Sequence, residues 1–137
     1  MTGVALAIVL ALAPVLSPAA SPERPTTTAS LGWHRARIAP WYGPGFYGKR
    51  TACGKRMSRT LRGAAHRTLP CGTKIKLRWR GHKTTVRVVD RGPYPARSLY
   101  GAMPLDLTAR TNCWDLNGGR YQSPCPSRRN LWWKVVR

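Results

Sequence analysis

The hydrophobic pattern of the chain is clearest between positions 74 and 89. Lys74-Ile75-Lys76-Leu77-Arg78-Trp79-Arg80 alternates polar and apolar residues without a fault, the period-two signature of a strand with one buried face. Gly81-His82 follows as a turn, and Lys83 to Val89 runs back as a second strand rich in β-branched residues, making a hairpin. Arg37 to Tyr42 reads as an opening strand and Leu131 to Val136 as a closing one that returns the chain to the sheet. On that closing strand Trp132 and Trp133 point to opposite sides, one outward and one inward, while Trp79 faces the core. Gly43-Pro44-Gly45 and Arg91-Gly92-Pro93 mark loops. One helix is predicted, with Thr108 as N-cap, Ala109 to Leu116 as its body and Asn117-Gly118 as its stop. Short strands with one short helix point to a small closed barrel, which leaves no exposed sheet edge.

The first residues do not belong to this pattern. Val4 to Leu16 is an uncharged apolar run followed by Ser17-Pro18-Ala19-Ala20, which reads as a signal peptide over residues 1–20. The run is too short to span a bilayer comfortably, although Met1-Thr2-Gly3 lacks a basic side chain, which leaves a retained anchor as the competing reading. Residues 21–32 are rich in Pro, Ser and Thr and read as a disordered linker. The folded domain is then 33–137, small enough to need a covalent staple. Cys53, Cys71, Cys113 and Cys125 supply one: behind an export signal they suggest two disulfides, in any of three pairings, with sequence proximity favouring Cys53 with Cys71 and Cys113 with Cys125. Zinc is the competing use, but no C-x-x-C pair is present and the histidines are scattered.

Composition narrows the chemistry. Among 137 residues, 24 are Lys or Arg and 4 are Asp or Glu, a net charge of +20 that calls for an anionic partner: nucleic acid, a membrane face or an envelope polymer. The acids are Glu23, Asp90, Asp106 and Asp115, too few for a carboxylate-rich calcium site. Asp115 belongs to the helix end, which leaves Asp90 and Asp106 for catalysis.

Four blocks occur in order: Trp41-Tyr42-Gly43-Pro44-Gly45-Phe46-Tyr47-Gly48-Lys49-Arg50-Thr51-Ala52, then Ala65-His66-Arg67-Thr68-Leu69-Pro70-Cys71-Gly72-Thr73, then Val89-Asp90-Arg91-Gly92-Pro93-Tyr94, then Leu105-Asp106-Leu107-Thr108. The series resembles the rare lipoprotein A family of septal lytic transglycosylases, distantly similar to expansins, over about Ile38 to Ala109. The resemblance implies a mainly β fold, a small six-stranded double-psi β-barrel with one short helix, and a secreted peptidoglycan lyase that needs no cofactor or metal. The positions of Cys53 and Cys71 look like the secreted actinobacterial branch, where this pair forms a disulfide. By the same resemblance Asp90 and His66 are the residues tied to glycan cleavage, with Asp106 as a further catalytic position. Trp41, Tyr42, Tyr47, Thr51, Arg91 and Tyr94 are the candidate substrate contacts. One departure stands out: many members carry Glu after the Gly of their T-A-x-G segment, and this chain has Lys55 after Gly54.

The carboxylate count fits that chemistry. Ordinary glycosidases use two carboxylates, one to protonate the leaving oxygen and one to activate water or attack. A lytic transglycosylase manages with one, because the muramyl 6-hydroxyl itself closes on the anomeric carbon to form a 1,6-anhydro end. The charge sets a difficulty, since an acid working near neutrality wants its pKa lifted from about 3.9 towards 6, roughly 2.8 kcal/mol of bias. Arg91 and Lys55 would push Asp90 the other way, so desolvation or repulsion from Asp106 must outweigh them. Asp90 also has a plain role as a turn former, His66 as a packing residue, and Asp106 as a helper of the helix start.

Two other functions compete. A non-catalytic, expansin-like wall binder would use Trp41, Tyr42, Tyr47, Tyr94 and Tyr100 as flat faces for sugars, with Lys and Arg holding teichoic phosphates or stem-peptide carboxylates. Nucleic-acid binding rests on charge alone, and the basic residues gather on no recognition helix. The expected partners are thus glycan strands and anionic wall polymers, met by a monomer outside the cell without a stable membrane anchor.

Overall fold

A computed structural model describes residues 32–94 and 103–137; the expected signal peptide, the expected linker as far as Leu31, and Tyr100 lie outside the described residues. The elements run β1 (His34–Ala39), β2 (Trp41–Tyr42), β3 (Ala64–Ala65), β4 (Lys74–Trp79), β5 (His82–Asp90), β6 (Asp106–Thr108), α1 (Ala109–Cys113), a single 3₁₀ turn (Asp115–Asn117) and β7 (Arg128–Val136). They form one sheet in the order β1-β7-β4-β5-β3-β6-β2. Its two end strands, β1 and β2, are separated in sequence by Pro40 alone, so the sheet curls until its ends meet. The described strands number seven rather than six. Pro40 accounts for the extra one, because it has no N–H for the ladder and breaks the predicted Arg37–Tyr42 strand in two; its carbonyl accepts from the Leu107 amide at 2.9 Å instead.

The predicted hairpin is β4 and β5, paired from Lys74 opposite Arg87 to Trp79 opposite His82. Its turn is one residue earlier than the pattern indicated, at Arg80 and Gly81, whose φ values of 45° and 84° are those of a tight hairpin turn. Ile75 and Leu77 of β4, Val88 of β5, Leu107 of β6 and Leu131 of β7 close a core in which each is under 2% exposed. Trp133 is buried and Trp132 exposed, as alternation requires, and Trp79 packs against the core with its indole N–H donating to the Arg129 carbonyl. Thr108 caps α1 as predicted, but the helix ends at Cys113 and a 3₁₀ turn continues to a left-handed Gly118.

Both disulfides, Cys53–Cys71 and Cys113–Cys125, have the pairing that proximity favoured. Arg128 is fully buried at the start of β7 with no carboxylate partner among the described residues. Its guanidinium donates to the Asn112 side chain and carbonyl and to Gln122, and lies 4.3 Å from the Trp79 ring centroid. It thereby ties the segment closed by Cys113–Cys125 to the sheet; burial pulls its pKa below the usual guanidinium range.

Candidate active site

The two-residue strand β3 organises the site. Ala65 is registered with Asp90 of β5 on one side and with Asp106 of β6 on the other, so both acids share its face of the sheet. Adjacent strands lie roughly 4.8 Å apart, which puts the two Asp backbones about 10 Å apart across β3. Between Ala64 and Ala65 the register shifts, leaving Val89 as an extra residue; this bulge re-aims Asp90 at the end of its strand. Gly63 makes the bulge possible, since a Cβ there would collide with both methyl groups of Val89.

Asp90 is held by three donors. Its Oδ1 accepts from the amides of Ala52 and Arg91, each at 2.8 Å, and its Oδ2 accepts from the Tyr42 hydroxyl at 3.2 Å. Ala52 is brought there by its neighbour Cys53, bonded to Cys71, and by a tight loop in which Thr51 and Lys55 exchange hydrogen bonds. Burial, reinforced by Asp90, pushes the Tyr42 phenol well above its ordinary range, so it remains a donor. Asp106 contrasts with this. Its Oδ1 is buried with no hydrogen-bond partner, and burial raises its pKa from 3.8 to about 7; the Leu107 amide opposes the shift and the Asp90 charge adds to it. The lift that the sequence demanded of Asp90 therefore falls on Asp106.

The cations that threatened the acid are turned elsewhere. The Arg91 guanidinium donates to the carbonyls of His66 and Leu69, and among the described residues Asp115 forms ion pairs with Arg62 and Arg110. Lys55 is exposed and meets the site only through its loop backbone. His66 meets Asp90 through its backbone amide, which donates to the Asp90 carbonyl at 3.2 Å. Its Nδ1 accepts from the amides of Thr68 and Leu69, its ring lies 5.5 Å from that of Trp133, and burial lowers its pKa, keeping it neutral. Thr51 is buried and occupied within its loop, whereas Tyr94 is 70% exposed.

The aromatic contacts divide. Tyr42 and Trp41 are consecutive on β2 and point to opposite faces. Trp41 and Tyr47 line a separate pocket of about 380 Å³ with Arg59, Trp114 and Tyr121. Residues the sequence reading missed are the Ala52 amide, Phe46 packed edge-on to Tyr42 at 5.8 Å, and the pocket members Arg59, Trp114 and Tyr121. Phe46 lies inside a block already singled out, but a backbone donor leaves no mark in side-chain identity.

Comparison with known proteins bears on the family and the fold. The chain is 47% identical over 74 residues to a probable endolytic peptidoglycan transglycosylase RlpA of Synechocystis sp., a match covering 53% of this chain and 22% of that protein. It is 43% identical over 70 residues to the endolytic peptidoglycan transglycosylase RlpA of Campylobacter jejuni, covering 50% of this chain and 26% of the relative. The chain thus spans about a quarter of the length of these relatives. Among solved structures, the Streptomyces papain inhibitor superposes with a TM-score of 0.52 at 18% identity, over 80% of this chain and 98% of that one, a likeness of fold alone. The profile of the double-psi β-barrel family described as lytic transglycolase matches residues 34–111, more than half of the chain. With its curled, mainly β sheet, short helix and two disulfides, this chain belongs to that family.

Proposed function

We propose that the domain is a lytic transglycosylase that cleaves the bond between muramic acid and glucosamine in peptidoglycan. The observation that carries this reading is the unlike pair flanking Ala65: Asp106 buried with an unpartnered oxygen, and Asp90 accepting from three donors. Two carboxyls in unlike environments give a separate acid and acceptor, a scheme that replaces the single-carboxylate route expected from the sequence. Asp106 donates its proton to the glycosidic oxygen as the bond to the anomeric carbon breaks. The muramyl 6-hydroxyl oxygen then bonds to that carbon, and its proton passes to the Asp90 carboxylate. Solvent exchange returns the pair to its starting state, so no water is consumed in the product.

Asp106, Asp90 and Tyr42 contact substrate in this scheme, while His66 is a positioning residue for the loop that carries Thr68 and Leu69. Family membership and two disulfides support action outside the cytoplasm, with residues 1–20 as the export signal, and support placing the chain in the secreted actinobacterial branch. The aromatic pocket behind β2 favours a second reading, a non-catalytic wall binder. Digestion of purified wall, followed by mass spectrometry for 1,6-anhydromuramyl ends, decides between them. Wild type is expected to release them and Asp106→Asn to release none; their absence with wild type would leave the binder.

A further inference from the structure

The other half of the barrel carries a feature that the site does not use. On the outer face of β1-β7-β4-β5, like charges stand directly opposite one another: Lys74 faces Arg87, Arg78 faces Lys83, and Lys76 faces Lys134. Opposed like charges destabilise a sheet, and three such pairs across three strands are a standing cost to the fold. Among the described residues no carboxylate side chain offsets them: Asp90 is the last residue of β5, beside β3, Asp106 is on β6, and Asp115 is engaged by Arg62 and Arg110. The partners present are rings: Arg78 sits 4.7 Å from the Trp33 centroid and 5.9 Å from that of Trp132, and Lys134 lies 5.2 Å from Trp33.

From this we infer that the face docks a linear phosphodiester polymer of the cell wall. The surface is a flat sheet, where a single exposed ion pair is worth little, so a small anion gains almost nothing there. A polymer that meets cations spaced roughly 4.8 Å across strands and about 6.8 Å along them gains from every contact and from released counterions. Arg provides a planar fork for phosphate oxygens and Lys a compact charge. Trp33 and Trp132 are already covered by cations, which leaves them poor platforms for stacking nucleobases and favours a polyol phosphate over nucleic acid. The choice of a wall polymer rests on the proposed wall activity: holding a chain fixed in the same wall raises the local concentration of glycan at Asp90 and Asp106.

The experiment measures binding of the full chain to purified poly(glycerol phosphate), to walls before and after hydrofluoric acid removes phosphodiester polymers, and to a mixed-sequence DNA duplex. Binding to the polymer and to untreated wall is expected, weakening about tenfold or more between 50 and 200 mM salt. A Lys74→Gln, Lys76→Gln, Lys134→Gln variant should lose about tenfold or more at low salt, while its melting temperature stays or rises as the repulsion is relieved and it keeps its release of anhydro ends from stripped glycan. Equal binding to stripped and untreated wall, an unaffected triple variant, or tighter binding to DNA than to the polyol phosphate would overturn the inference. Asp106→Asn should bind the polymer like wild type, so loss of cleavage and loss of docking fail independently.

Discussion

The two halves of the barrel are built in opposite ways. The β1-β7-β4-β5 half consists of strands of six to nine residues with regular alternation, a buried apolar side and a cationic outer side. The half around β3, β6 and β2 consists of strands of two or three residues held in place by loops, a bulge and a disulfide; Asp106 lies on it, and Asp90, the last residue of β5, meets it at Ala65. Placing the paired cations on one half keeps them off the other. Asp106 then sits where burial dominates its titration, despite a chain charge of +20. The difference shows how a strongly basic protein keeps a protonated acid near neutrality: separation across a sheet, and an Arg91 whose donors are taken by carbonyls.

That comparison breaks most visibly at the acid. Asp106→Asn should lower the rate of anhydro-end formation by about 10²- to 10⁴-fold, the usual worth of a positioned proton donor, with the fold retained by thermal melting. Next, Tyr42→Phe removes one of three hydrogen bonds to Asp90; a bond to a charged group is worth about 1.5–3 kcal/mol, so kcat should fall roughly tenfold or more in the same assay.

The acid half was legible only through its ordered blocks. A strand as short as Ala64–Ala65 has no periodicity to detect, and the acceptor role of Asp90 depends on amides of Ala52 and Arg91 that side-chain identity does not encode. The resemblance pointed to Asp90 as the acid that needs a raised pKa, whereas depth in the fold, set by the β3–β6 pairing, gives that shift to Asp106. The cationic half was more readable, because Lys74 to Trp79 is long enough to show its alternation and the return strand its β-branched residues, but β1 and β7 each begin three residues before the Arg37 and Leu131 starts that the pattern indicated. Even there Pro40 and the Arg80-Gly81 turn moved boundaries by backbone chemistry.

A smaller effect sharpens the comparison through stability. The folded-state pKa of Asp106 lies above its ordinary 3.8, so the unfolded chain releases this proton first and stability falls as pH rises from about 4 to about 7. Asp106→Asn should remove that slope and raise unfolding free energy at pH 8 by up to about 4 kcal/mol, measured by urea titration at pH 5 and pH 8. The smallest effect belongs to the other half. Lys76→Glu turns the repulsion with Lys134 into attraction and should stabilise the domain by about 0.2–1 kcal/mol, with cleavage of stripped glycan unchanged.

The most direct measurement is the titration of the Asp106 carboxyl carbon by NMR in the glycan-free protein, assigned by its loss in Asp106→Asn. A midpoint near 7, as burial on β6 dictates, is the predicted result. A midpoint near the ordinary 3.8 would contradict it, for the site would then hold no carboxyl ready to protonate a sugar oxygen at neutral pH.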